Sequence, residues 1–116
     1  MSGAAKTWET LAQFTARNRA SAETALNFAL RTCRATAALT AQAVSDMEAR
    51  LAAGRSALLS ATSQAFNEDP AVVEAVADAG KIRWMEPTLG IFVAEFAGHV
   101  VRLPEFNKPI TQPAAA

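Results

Sequence analysis

The chain has 116 residues, which is room for one domain or one long helical hairpin and excludes a two-domain enzyme. Eleven Lys and Arg balance eleven Asp and Glu, so the chain as a whole offers no electrostatic case for nucleic acid or an anionic membrane. With 28 Ala, 10 Thr, 5 Gly and no Tyr, the composition favours helix, and nearly half of its 51% hydrophobic content is Ala, which buries little area.

From about Thr7 to Phe66 there is no Pro, and the first Gly after Gly3 is Gly54. Nothing in that stretch compels a break, and a single long helix over 7–66 is expected. Leu30, Cys33, Ala37, Thr40, Val44, Met47, Leu51, Gly54, Leu58 and Ala61 are spaced alternately by three and four, a heptad seam with Leu26 one step earlier. The seam is lean, because Ala, Thr and Gly fill several of its positions. Small seam residues imply close helix approach with little area buried per contact. Trp8, Leu11 and Phe14 form a separate stripe, and the apolar-free segment Arg17-Asn18-Arg19 after it suggests a register change there.

Asn67-Glu68-Asp69-Pro70 combines a turn former, an N-cap Asp and an N1 Pro, so the long helix ends near 66 and a short helix over about 70–80 follows, stopped by Gly80. Val72, Val73 and Val76 fall on one of its faces. A third helix is expected over about 87–103, where Leu89, Phe92, Val93, Phe96, Val100 and Leu103 recur at helical spacing, a richer apolar stripe than the long helix has anywhere. The sequence therefore reads as all-α, with a single helical domain over 1–103 and an extended tail over 104–116. Pro104, Pro109 and Pro113 prevent that tail from continuing the helix, and Phe106 and Ile110 are its two large apolar anchors.

The search for chemistry finds no phosphate-binding loop, HExxH, GxSxG or EF-hand pattern. Glu95 and the single histidine, His99, lie four apart and would share a helix face, but two ligands do not complete a metal site; an intrahelical pair is the simpler reading. Gly90, Ala94 and Gly98 form a small-residue row suited to a close helix crossing. Arg17, Arg19, Arg31 and Arg34 resemble an anion patch, but few aromatic residues accompany them, so a solvated helix face is expected and nucleic acid is not. Residues 1–34 carry net plus three and 67–80 net minus four, so these segments could meet in a hairpin or a head-to-tail assembly. Cys33 is the only cysteine, which excludes an intrachain disulfide and fits a reducing, cytoplasmic compartment. The most apolar stretch, 89–103, contains Glu95, His99 and Arg102 and is too short to span a bilayer.

The stretch Ala22–Ala79, above all Met47-Glu-Ala-Arg-Leu-Ala-Ala-Gly-Arg-Ser-Ala-Leu-Leu-Ser-Ala-Thr followed by Asp69-Pro70 and a short helix, resembles the phasins, bacterial proteins that coat polyhydroxyalkanoate granules. The resemblance covers about half the chain and implies an oligomeric, non-enzymatic helical protein that lays its apolar face on a polyester surface, with no catalytic residue, cofactor or metal. The expected interaction surface is Leu30, Val44, Met47, Leu51 and Leu58 on the long helix, with Leu89, Phe92, Phe96, Val100, Leu103, Phe106 and Ile110 toward the C-terminus. Its partner is a sister chain, another protein or a granule. The alternatives are a subunit that docks into a hetero-assembly through 87–110 and a small all-α enzyme.

Overall fold

A computed structural model describes residues 7–34 and 36–104. The order of elements is α1 (Leu11–Thr32), α2 (Ala37–Phe66), α3 (Pro70–Asp78), β1 (Arg83–Thr88), β2 (Ile91–Phe96) and β3 (His99–Arg102). The fold is thus mixed α and β, and the all-α expectation is wrong in the segment read as a third helix.

The error has a physical origin. An apolar residue at every third or fourth position also satisfies a pair of short strands when turns fall between them, and here Gly90 and Gly98, read as a helix-crossing row, are those turns. Both have positive φ, 84° and 85°. Ala97 and Gly98 form a two-residue connection in which both residues are left-handed, as a type I′ turn requires, and Phe96 pairs directly with His99 across it. Upstream, Ile82, Trp84 and Glu86 are buried while Arg83 is exposed, the period-two alternation of a strand with one covered face. The sheet has the order β1-β2-β3, antiparallel throughout. Trp84, Ala94 and Val101 line up in one row on its inner face, and Arg83, Glu95 and Val100 in the adjacent row on the outer face. The register shifts between Met85 and Thr88, which accommodates Pro87 within β1. The buried Glu86 carboxylate accepts the Gly90 N–H at 2.6 Å and closes the hairpin that follows.

The long helix is also divided. Thr10 caps α1 through a reciprocal capping box with Gln13, and Thr36 caps α2 by accepting the Leu39 N–H. The break falls at 33–36, while Arg17–Arg19, where the sequence suggested a register change, lie inside a continuous α1. A second Thr cap lets the chain reverse, so α1 packs back along α2 and buries Met47 while Ala37 and Val44 of the lean seam stay exposed. Farther on, Asn67 ends α2 in the left-handed region, Asp69 caps α3 through the Ala71 N–H, and Pro70 opens it, as the sequence indicated.

The core gathers at one end. Leu11 and Phe14 of α1, Leu58, Leu59 and Ala61 of α2, and Val73 and Ala77 of α3 close over Ile82, Trp84, Phe92, Ala94 and Leu103. Glu9 forms a two-bond antiparallel bridge with Trp84, each N–H to O distance 2.8 Å, and so covers the free edge of β1. The Phe14 and Phe92 rings meet edge to face with centroids 6.1 Å apart. Between residues 15 and 57, Met47 is the one fully buried side chain among those described. The distal parts of α1 and α2 therefore form a two-helix arm that stands off a compact α/β head. Within the 1–103 segment expected to be helical, the strands from Arg83 to Arg102 supply a sheet instead. Residues 105–116, with Phe106 and Ile110, lie outside the described residues.

Candidate interaction surface

The arm owes its shape to the size of its side chains. Ala22, Leu26 and Leu30 of α1 turn toward Thr40, Ala43 and Met47 of α2 and are half-buried there. Because so many of these residues are Ala, the helices touch along a narrow line and leave a groove of about 360 Å3 on one side. Ala22, Ala25 and Ala29 form its α1 wall and Ala43, Asp46 and Arg50 its α2 wall, over a floor of Leu26, Met47 and Leu51. Two large apolar side chains stand on the same part of the arm with most of their surface in water: Phe28, 60% exposed, and Leu39, 59% exposed. Such side chains lose their hydration cost only against another surface.

Charges are distributed unevenly along the arm. At its base, Arg19 makes a two-pronged contact with Glu48, at 2.6 and 2.8 Å, that ties α1 to α2 on the side away from the groove. The Arg19 guanidinium holds the Glu48 carboxyl below its ordinary pKa, and the carboxylate raises that of Arg19 in return. At the groove rim Asp46 accepts from Gln42 Nε2 at 2.9 Å but makes no ion pair, and Arg50 makes none either among the described residues.

The expected surface residues are distributed between arm and head. Leu30 and Leu51 are half-buried along the arm, Met47 lies beneath the groove, Val44 is 40% exposed on the flank, and Leu58 is wholly inside the head core. Phe92 and Leu103 also belong to that core. Leu89 is exposed at the β1–β2 turn, and Val100 is exposed on the outer sheet face. Phe96 borders a crevice of about 220 Å3 against Val72 and Val76 of α3. The apolar stripe read for 87–103 is therefore not one surface: β pairing sends its members to both faces of the sheet and to a turn.

Hairpin geometry also separates the polar candidates. Glu95 lies on the outer face, where it accepts from Arg83 at 2.7 Å and from the Gly98 N–H at 3.0 Å. His99 sits in the next strand, opposite Phe96, so the pair does not share a helix face. Among the described residues no group of three His, Cys, Asp or Glu side chains is placed to hold a metal. Arg17 is committed to Glu9 by two contacts at 2.8 and 3.0 Å and lies over the Phe14 ring. Arg31 and Arg34 are exposed near the end of the arm, so the four arginines do not converge. The acidic segment meets the N-terminal one through apolar contact, Val73 and Ala77 sharing the core with Leu11 and Phe14, but among the described residues their charges do not pair; Glu74 and Asp78 instead pair with Arg55 of α2, at 3.0 and 3.1 Å.

The sequence reading passed over Phe28, Leu39, Asp46 and Arg50. A signal for the first two was present, since each is a large apolar residue off the seam of a helix. No helix among the described residues is long and apolar enough to cross a membrane. No family model matches the chain, and neither a curated protein nor a solved structure matches it.

Proposed function

We propose that the protein is a non-enzymatic assembly module whose two-helix arm receives another helix in its groove while the α/β head fixes the arm's base. The observation that carries this reading is the open groove of about 360 Å3, floored by Leu26, Met47 and Leu51, on an arm that also leaves Phe28 and Leu39 uncovered. Alanine walls suit such a role, because they let a second helix approach until the helix axes are about 8 Å apart, the short end of the usual range. The non-enzymatic part of the reading is supported by the use made of the polar side chains. Arg17, Arg19, Arg55 and Arg83 are each spent on joining one element to another. The lone exposed thiol of Cys33 supports placing the module in a reducing, cytoplasmic compartment.

A phasin-like granule coat is the second reading, favoured by the concentration of exposed Phe28, Leu39 and Val44 on the arm. A concave groove complements a convex helix better than it does a flat polyester surface, which ranks a protein helix first. The test is to place charge in the groove with Ala29→Glu and Ala43→Glu, at an exposed and a half-buried position that are both outside the head core. The native extract is then sized by gel filtration. The expected result is that the parent chain elutes in an assembly larger than the free chain and the variants elute as the free chain, with the helices retained by circular dichroism; variants that elute with the parent chain would overturn the reading.

A further inference from the structure

We infer that the occupant of the groove is the arm of a second copy of this chain, with α2 packing antiparallel against its symmetry mate about a two-fold axis beside residue 48. This rests on the assembly-module reading and adds the identity and register of the partner. The argument is the self-complementarity of one stripe on α2. Leu39, Ala43, Asp46, Arg50, Ala53 and Ala57 follow one another by four, three, four, three and four, and so occupy a single helix face. Run in the opposite direction against itself, that stripe sets Asp46 beside Arg50 of the other copy and Arg50 beside Asp46. It also sets Ala43 beside Ala53, and the large Leu39 beside the small Ala57.

Three observations agree with that register. Asp46 and Arg50 are one turn apart, yet they form no ion pair with each other and none with any other described residue. A two-fold axis turns this unpaired couple into two identical bridges, as an isologous interface demands. Leu39 has 59% of its surface in water and in the dimer lies over Ala57, where the small side chain leaves room. Finally, Leu39, Asp46, Arg50 and Ala53 of the face are exposed and Ala43 and Ala57 half-buried, while the sheet and α3 pack against Leu58, Leu59 and Thr62 and against Arg55, on other sides of α2. The Ala22, Ala25 and Ala29 wall of α1 then accepts the flank of the incoming helix, and two arms make a four-helix antiparallel bundle.

The test is a charge swap read by sedimentation equilibrium on the purified full chain. In Asp46→Arg or Arg50→Asp alone, both bridges become like-charged contacts, and the dimer dissociation constant should rise by about tenfold or more. The double variant Asp46→Arg/Arg50→Asp restores opposite charges at both places and should recover to within about threefold of the parent. Both residues changed in this way are exposed, and circular dichroism checks that the helices persist. As a second readout, in a Cys33→Ala background, Ala43→Cys chains mixed with Ala53→Cys chains should crosslink to each other on mild oxidation. A monomer at the highest soluble concentration, a dimer indifferent to the single swaps, or singles that the double does not rescue would each overturn the inference. A pure chain that stays monomeric while the groove variants still dissolve the native species would mean a different protein fills the groove. That outcome removes the second copy and leaves the assembly-module reading standing.

Discussion

The indole Nε1 of Trp84 donates to Thr62 Oγ1 at 3.0 Å, and Thr62 in turn donates to the Leu58 carbonyl at 2.7 Å, so the sheet is tied to α2 by a hydrogen-bonded chain inside the core. Trp84 is 1% exposed and Thr62 is wholly buried. Removing the hydroxyl with Thr62→Val keeps the volume and leaves an indole N–H without an acceptor. A stability loss of about 1–3 kcal/mol is expected in urea unfolding. A change below about 0.5 kcal/mol, the range of an ordinary surface substitution, would mean that the bond does not anchor the sheet.

The β2–β3 turn provides a test whose sign separates hairpin from helix. Ala97 has φ 54° and bears the left-handed penalty of a residue with a Cβ. Ala97→Gly should stabilise by about 0.5–1 kcal/mol if the turn is as described, whereas the same substitution inside a helix destabilises by about 1 kcal/mol. The thermal midpoint of the variant decides it.

Two apolar residues of the same helical seam should behave differently. Leu58 is wholly buried in the head core, and Leu58→Ala should cost about 2–5 kcal/mol. Val44, 40% exposed on the arm, should lose no more than about 0.5 kcal/mol on substitution by Ala. Equal losses at the two sites would contradict the placement of the core at one end of the molecule.

Acid should loosen the sheet through Glu95. The Arg83 guanidinium, helped by the Gly98 N–H, holds this carboxyl below its ordinary pKa. A carboxyl whose pKa is lower folded than unfolded adds stability above the unfolded value, and that stability is lost as pH falls through the folded one. The urea midpoint should therefore decline as pH drops below the ordinary carboxylate range, and Glu95→Gln should make the decline shallower. An identical pH profile for parent and variant would show that the pair contributes nothing to folding.

Local signals were legible in the sequence wherever the physics is local. Asp69 and Pro70 start α3 because a cap and a fixed φ act within a few residues, and the Ala-rich stretch with its three-four seam is helix because propensity and periodicity accumulate over many turns. Met47, Leu51 and Leu58 turn inward or half inward on α2 for the same reason. The caps Thr10 and Thr36 lie in an apparently unbroken helical run, however. A Thr can serve inside a helix or cap one, and the choice at 33–36 depends on whether α1 and α2 gain by folding back on one another.

The segment 82–103 was decided by tertiary structure. Phe92, Phe96, Val100 and Leu103 fit a helical wheel, yet Gly90 and Gly98 with their positive φ, and Glu9 pairing with Trp84 from the far end of the chain, fix it as a sheet. The three-four spacing of those four residues is equally available to two short strands with a tight turn between them. What selects the strands is the burial of Trp84, Phe92 and Ala94 against Leu11, Phe14 and Leu58, residues distant in sequence. The groove arises in the same way. Composition determined that the helices would be rich in Ala, but only their pairing in space left Phe28 and Leu39 uncovered and set Asp46 and Arg50 at the rim, because a line of small side chains closes one side of a two-helix arm and leaves the other open.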